Sequence, residues 1–286
     1  MEPLRADLSG KTCLVTGASA GIGLAAARGL ARLGARVVMA VRDPEKGERA
    51  RRAVAEATGG EVETALVDLA RRASIRAFAR DIAALHPKLD VLVNNAGIWS
   101  ERRRVGPDGV ELVWATNVLG YFQVTELLLP LLRAAGKARV VNVASQLAFG
   151  LDLSDVQFER RPWSGRGAYA QSKQADRMLT WALARRLSGT GVTAHAMHPG
   201  FVASEIFAKG GGPISRVVSL YARLGGRPPE EGADTVVWLA ASPEVDGRAG
   251  LFWIDRQEHR CRFRDEAGEE ALWALCRRMT ADGPTS

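Results

Sequence analysis

"TGASAGIG", residues 16–23, decides the fold of this chain. It sits where a short apolar run, Thr12–Thr16, gives way to a segment of helical periodicity over about 21–33. Gly17, Gly21 and Gly23 let the backbone bend sharply there, approach a pyrophosphate and aim helix N–H groups at it, with Ser19, Ala20 and Ile22 completing the turn. Glycines alone mark any tight turn. Following a first strand and opening a first helix, they read as a dinucleotide cradle.

Outward from that turn the same alternation repeats. Apolar runs at Arg36–Val41, Val62–Val67, Val91–Asn94, Arg139–Val143, Thr193–Met197 and Leu251–Ile254 read as strands. Helical periodicity falls at about 45–57, 72–85, 108–134, 167–188, 230–241 and 267–279. Short β-rich runs alternating with longer helical segments make βαβ units on a parallel sheet, and "RVVMAV" and "ARVVNVA" have the continuous apolar character of strands buried on both faces. The expected architecture is α/β: a single-domain Rossmann fold over residues 1–286, with a doubly wound, seven-stranded parallel sheet in the order 3-2-1-4-5-6-7. The crevice of such a sheet opens at the carboxyl ends of strands one and four, which here carry "TGASAGIG" and "NNAG".

Composition narrows the class. The 286 residues are 47% hydrophobic and 25% charged, enough apolar matter for a sizeable core. A net charge of +7 comes from arginines scattered in pairs such as Arg51-Arg52, Arg71-Arg72 and Arg185-Arg186. That pattern suits solvated helix faces rather than a nucleic-acid surface. Three cysteines without CxxC spacing, and histidines without an HExxH motif, argue against disulfides and against a metal. "MEPLRADLSGK" at the start has no apolar stretch of signal or membrane length, and no such stretch is read later. A cytoplasmic protein with no integral membrane segment is expected.

At the end of the second strand the chain reads Val41-Arg42-Asp43. Arg42 offers a planar fork of donors to a ribose 2′-phosphate, which favours NADP(H); Asp43 beside it is the acid that would favour NAD(H). In "AYAQSKQA", residues 168–175, Tyr169 and Lys173 stand four apart. On a helix they share a face, about 5–6 Å apart at Cβ. A cation there would stabilise a phenolate and lower a phenol whose ordinary pKa is about 10.

These pieces together resemble the short-chain dehydrogenase/reductase family. They are Thr16-Gly17-x-x-x-Gly21-x-Gly23, Asp68-Leu69, Asn94-Asn95-Ala96-Gly97, Asn117 in "TNVLG", Ser145, Tyr169-x-x-x-Lys173 and His198-Pro199-Gly200, spread over almost the whole chain. "AVRDPEKG" and the long stretch between Ser145 and Tyr169 are similar to the retinol dehydrogenase and WW-domain oxidoreductase branch, which uses NADP(H) on lipophilic carbonyls or alcohols. The resemblance implies Tyr169 as general acid/base, Lys173 binding the nicotinamide ribose and lowering the phenol, Ser145 holding the substrate oxygen, and Asn117 anchoring a proton-relay water. It also implies Asp68 and Leu69 at the adenine, Asn94, Ala96 and Gly97 along the adenosine side, and Pro199, Gly200, Val202 and Ser204 near the carboxamide.

Segments 146–168, with Phe149, Phe158 and Trp163, and 203–228, with Ile206, Phe207 and Tyr221, are expected to shape an apolar substrate mouth, and Trp99 to form another wall. The expected function is interconversion of a carbonyl and an alcohol on a mainly apolar small molecule. The alternative is a catalytically inactive NADP(H)-binding regulator or scaffold of the same fold. Relatives usually pair through the helices that correspond here to 108–134 and 167–188, so a homodimer or homotetramer is expected. The terminal "LFWIDRQEHRCRFRDE" reads as strand seven followed by a charged extension.

Overall fold

The computed structural model describes residues 4–202 and 225–281. Its sheet runs β3-β2-β1-β4-β5-β6-β7-β8, with β1 Thr12–Thr16, β2 Arg36–Val41, β3 Val62–Leu66, β4 Val91–Asn94, β5 Ala138–Val143, β6 Val192–His198, β7 Leu251–Ile254 and β8 Gln257–His259. The first seven strands are parallel and in the expected order. The helices are α1 Gly21–Arg32, α2 Pro44–Thr58, α3 Arg72–Leu85, α4 Leu112–Ala134, α5 Gly165–Arg186, α6 Pro229–Ala241 and α7 Glu266–Thr280.

Strand periodicity divides the core into two layers. On β1, Cys13 and Val15 join Leu30 of α1 and Val236 of α6, while Leu14 between them joins Ile82 of α3 and Leu128 of α4 on the opposite face. Burial on both faces explains why β2 and β5 carry no alternating pattern.

The sheet has one strand more than the sequence suggests. Residues 257–259 do not continue as an extension but turn back antiparallel on β7, pairing Ile254 with Gln257. The turn is Asp255-Arg256, with φ of 50° and 60°, the left-handed geometry that closes a tight hairpin. No glycine announces it. Arg256 is held instead by α6: its Nε donates to Asp234 at 2.7 Å and its main-chain N–H to Thr235 Oγ1 at 3.1 Å. All three β8 residues are exposed and polar, which blunts the sheet edge.

Among the described residues α4 is the most apolar helix. By length and hydropathy it reaches the threshold for a membrane span, contrary to the sequence reading, yet 72% of its most apolar window is packed inside the protein. A π turn at Ala115–Leu119 interrupts it. The α4–α5 side, where pairing with another copy is expected, carries the chain's own α7. Trp273 stands edge-on to Phe122 of α4 at 4.8 Å, Leu272 and Cys276 are fully buried, and Arg185 of α5 is ion-paired to Glu269 and Glu270.

Candidate active site

The carboxyl ends of β1, β4 and β5 form the floor of the site. At β1 the chain turns through Gly17 (φ 68°) and Gly21 (φ 55°) into α1. A Cβ on Gly17 would lie 2.8 Å from Ala96 Cα, and one on Gly23 would lie 2.5 Å from the Gly17 carbonyl, so only glycine permits this closeness. α1 begins at Ala20 with no side-chain cap and no acid in its first turn, in contrast to α2, capped by Asp43, and α5, capped by Ser164. Its first N–H groups and their partial positive charge are open to an anion, so the residues present fit a pyrophosphate. Ser19, Ala20 and Ile22 are partly exposed along this rim, and so are Ala96 and Gly97 across from it.

The "NNAG" element is locked to that turn. Thr16 Oγ1 accepts the N–H groups of Asn95 at 2.9 Å and Ala96 at 3.1 Å. Asn94 behaves differently. Its side chain is buried and donates to Thr125 Oγ1 and Asn142 Oδ1, both at 2.9 Å, so it ties β4 to α4 and β5, and any contact with a dinucleotide falls to its main chain. Asn117 lies in the π turn of α4, where its side chain accepts from Ile98 N at 2.9 Å and donates to Ile98 O and Ser172 Oγ, both at 3.1 Å.

β5 and α5 bring the remaining three together. Ser145, just past β5, shares a side-chain hydrogen bond with Tyr169. One turn on, Lys173 Nζ donates to the Val143 carbonyl and to Asp176 Oδ2, both at 2.9 Å, and stands 5.9 Å from the Tyr169 ring centre. Ser145, Tyr169 and Lys173 are all buried. Their electrostatics differ from the sequence expectation, in which Lys173 lowers the phenol. Burial pushes Tyr169 up; Lys173 and the Ser145 bond pull it back without reversing that, and Asp176 adds a further upward push. Burial alone would drive Lys173 down, but Asp176, Tyr121 and Tyr169 outweigh it and hold the ammonium above its ordinary value.

Comparison with known proteins decides the family. Residues 11–211 match the family model described as short chain dehydrogenase. The chain is 36% identical to human retinol dehydrogenase 14, covering 94% of this chain and 85% of that protein, and 38% identical to mouse polyprenol dehydrogenase, covering 98% and 87%. Among solved structures it resembles a metagenomic short-chain oxidoreductase in complex with NADP, with a TM-score of 0.61 at 31% identity, covering 81% and 91% of the two chains. The chain belongs to the short-chain dehydrogenase family. It is therefore an oxidoreductase of the alcohol–carbonyl type.

The adenosine side of this short-chain dehydrogenase is set by β2 and β3. Gly17 N donates to the Ala40 carbonyl at 2.8 Å, which places exposed Arg42, two residues on, beside the cradle. Asp43 is engaged as the cap of α2, accepting from Lys46 N at 3.0 Å, and that bond holds its carboxyl below the usual range. Asp68 is likewise occupied locally, its Oδ1 accepting from Ala70 N at 3.0 Å, while Leu69 packs in the core. After β6, Pro199 is followed by Gly200 (φ 81°), and Val202 is buried and bridged to Arg227. Ser204, Ile206, Phe207 and Tyr221 lie outside the described residues, as does most of the segment 203–228.

On the substrate side the aromatic residues divide. Phe158 and Trp163 pack on each other at 5.2 Å within a small cluster with Val113 and Ala168, and are wall structure rather than open lining. Phe149 and Phe201 are exposed, and Trp99 stands 5.5 Å from the Tyr169 ring. Asp155 staples the 146–168 segment by accepting from the N–H groups of Glu159, Arg160 and Arg161.

Sequence reasoning passed over three residues that shape the site. Arg177 donates to the Ser145 carbonyl and so braces the end of β5; Tyr121 offers its ring face to Lys173 at 5.0 Å; Asp176 forms the buried ion pair. The signal for Asp176 was present, since it lies three residues past Lys173 on the same helix face.

Proposed function

We propose that the chain is an NADP(H)-dependent reductase or dehydrogenase that interconverts a carbonyl and an alcohol on a mainly apolar small molecule, with Tyr169 as general acid/base. One observation carries the reading: a phenol bonded to a serine hydroxyl, with a buried ammonium one turn away, at the mouth of a glycine cradle that fits a pyrophosphate. The bound dinucleotide would supply or accept the hydride at the carbonyl carbon. Gly17, Gly21, Gly23 and the first turn of α1 would hold its pyrophosphate, Arg42 a 2′-phosphate, and Lys173 a nicotinamide-ribose hydroxyl, with Val143 and Asp176 already occupying two of its three N–H groups.

Ser145 then holds the substrate oxygen while Tyr169 passes its phenolic proton to it in reduction, or takes the proton in oxidation. Asn117 fixes the Ile98 segment that walls the site and anchors the relay that restores the proton. Exposed Phe149 and Phe201, with Trp99 beside Tyr169, favour an apolar substrate. The names of the two relatives, for retinol and polyprenol, point the same way. Three free, buried thiols suit a reducing, cytoplasmic setting.

The test is a panel of aromatic and aliphatic ketones, aldehydes and alcohols with NADPH or NADP⁺, followed at the nicotinamide absorbance. Turnover is expected in the wild type and lost in Tyr169→Phe, with NADPH affinity within about threefold of wild type because the phenol is not the main cofactor anchor. Retained turnover in the variant would remove Tyr169 from the chemistry.

A further inference from the structure

The buried ion pair on α5 contains a charge that the reaction described above does not use. Asp176 is 1% exposed, and its Oδ2 lies 2.9 Å from Lys173 Nζ. Its Oδ1 has no hydrogen-bond partner among the described residues. It borders a cavity of about 20 Å³ lined also by Tyr121, Thr125, Asn142, Leu179 and Trp273, room for roughly one water. Burial raises the Asp176 carboxyl above its ordinary value, and the Lys173 ammonium 2.9 Å away pulls it back and favours its ionised form.

A lysine beside a phenol works as an unbalanced positive charge, since only its net field favours the phenolate. In this protein the balance is altered. Asp176 places a full negative charge on the same ammonium, in an interior where charge interactions are strong. It also acts directly on Tyr169, opposing the phenolate. The other titratable groups facing the pair are Tyr121 of α4 and Cys276 of α7, both neutral because burial raises them, so neither offsets the carboxylate.

We propose that Asp176 is a positioning residue that acts as a counter-charge, cancelling part of the Lys173 field at Tyr169 so that the phenol rests as a proton donor to a carbonyl rather than as a base toward an alcohol. The inference rests on the reading of Tyr169 as the proton-transfer group. Its consequence is a directional bias in rate. Carbonyl reduction draws on the protonated phenol that predominates at neutral pH, whereas alcohol oxidation needs the scarce phenolate and rises with pH. Asp176→Asn keeps the size and an acceptor for Lys173 while removing the charge.

Two measurements test it. In alkaline titration followed by tyrosinate ultraviolet absorbance, the transition missing from Tyr169→Phe identifies Tyr169. In wild type it is expected above the range of an ordinary phenol, and in Asp176→Asn it is expected to fall by about one pH unit, tenfold in proton affinity. In the second, the rising limb of kcat/KM for alcohol oxidation with NADP⁺ moves down by a similar amount, while reduction at neutral pH, where the phenol stays protonated in both proteins, keeps its rate. A Tyr169 transition that is unmoved or raised in Asp176→Asn overturns the proposal. A wild-type transition at or below the ordinary range overturns it even should the variant fail to fold. A moved titration with no turnover of any alcohol or carbonyl in wild type would leave the counter-charge standing and remove the functional reading beneath it.

Discussion

Thr16 and Asn95 hold each other twice across the end of the sheet: Thr16 Oγ1 accepts Asn95 N at 2.9 Å, and Asn95 Nδ2 donates to the Thr16 carbonyl at 2.8 Å. The same hydroxyl accepts Ala96 N, so one side chain fixes β1, β4 and the distance between the two halves of the cradle. Thr16→Val keeps the shape and leaves two amides without an acceptor. A loss of roughly 2 kcal/mol or more is expected by urea unfolding, together with weaker NADPH binding. A variant as stable as wild type would show that water replaces the hydroxyl freely.

Gly17→Ala should act mainly on the cofactor. The φ of 68° and a Cβ 2.8 Å from Ala96 Cα force the turn and the "NNAG" segment apart. The strain is on the order of 1–3 kcal/mol, and NADPH affinity measured by fluorescence should drop at least about tenfold. An unchanged Kd would mean that the pyrophosphate does not sit on this turn.

Arg42→Ala separates the two dinucleotides. Removing one charged donor set from a phosphate costs about 1.5–3 kcal/mol, so kcat/KM with NADPH should fall roughly 10- to 100-fold while the value with NADH holds. Parallel loss with both cofactors, or none with either, would assign Arg42 to the solvated surface. Asp43 has its Oδ1 engaged as the cap of α2, which draws that oxygen away from the ribose.

Acid stability follows from two histidines, His195 buried and His198 half-buried. Burial lowers His195 and His198 from 6.5 to about 4, and neutral His195 Nδ1 accepts Trp253 Nε1 at 3.0 Å. A folded-state pKa below the unfolded one means that the unfolded chain binds more protons between those values. Their contribution is therefore full above about pH 6.5 and is lost as pH falls through about 4, with the fully buried His195 alone worth on the order of 3 kcal/mol. Thermal melts should show Tm declining across that window. A flat Tm would require both rings to be protonated inside the fold.

Much of the architecture was legible because buried parallel strands announce themselves. β1, β2, β4 and β7 begin and end at the expected residues, and the glycine turn falls where its spacing places it. The β7–β8 hairpin was not legible, since positive φ at Asp255 and Arg256 is sustained by contacts to Asp234 and Thr235 from a distant helix. In the site, periodicity put Tyr169 and Lys173 on one face, but the sign of the phenol's shift depends on burial and on Asp176, neither of which a four-residue spacing contains. Asn94 illustrates the same limit. Its motif is recognisable, yet its side chain serves α4 and β5 through partners 31 and 48 residues away.

α7 has a consequence for assembly. Leu272 and Cys276 are buried and Arg185 is ion-paired to Glu269 and Glu270, so α7 is itself part of the surface that any partner approaching the α4–α5 side would meet.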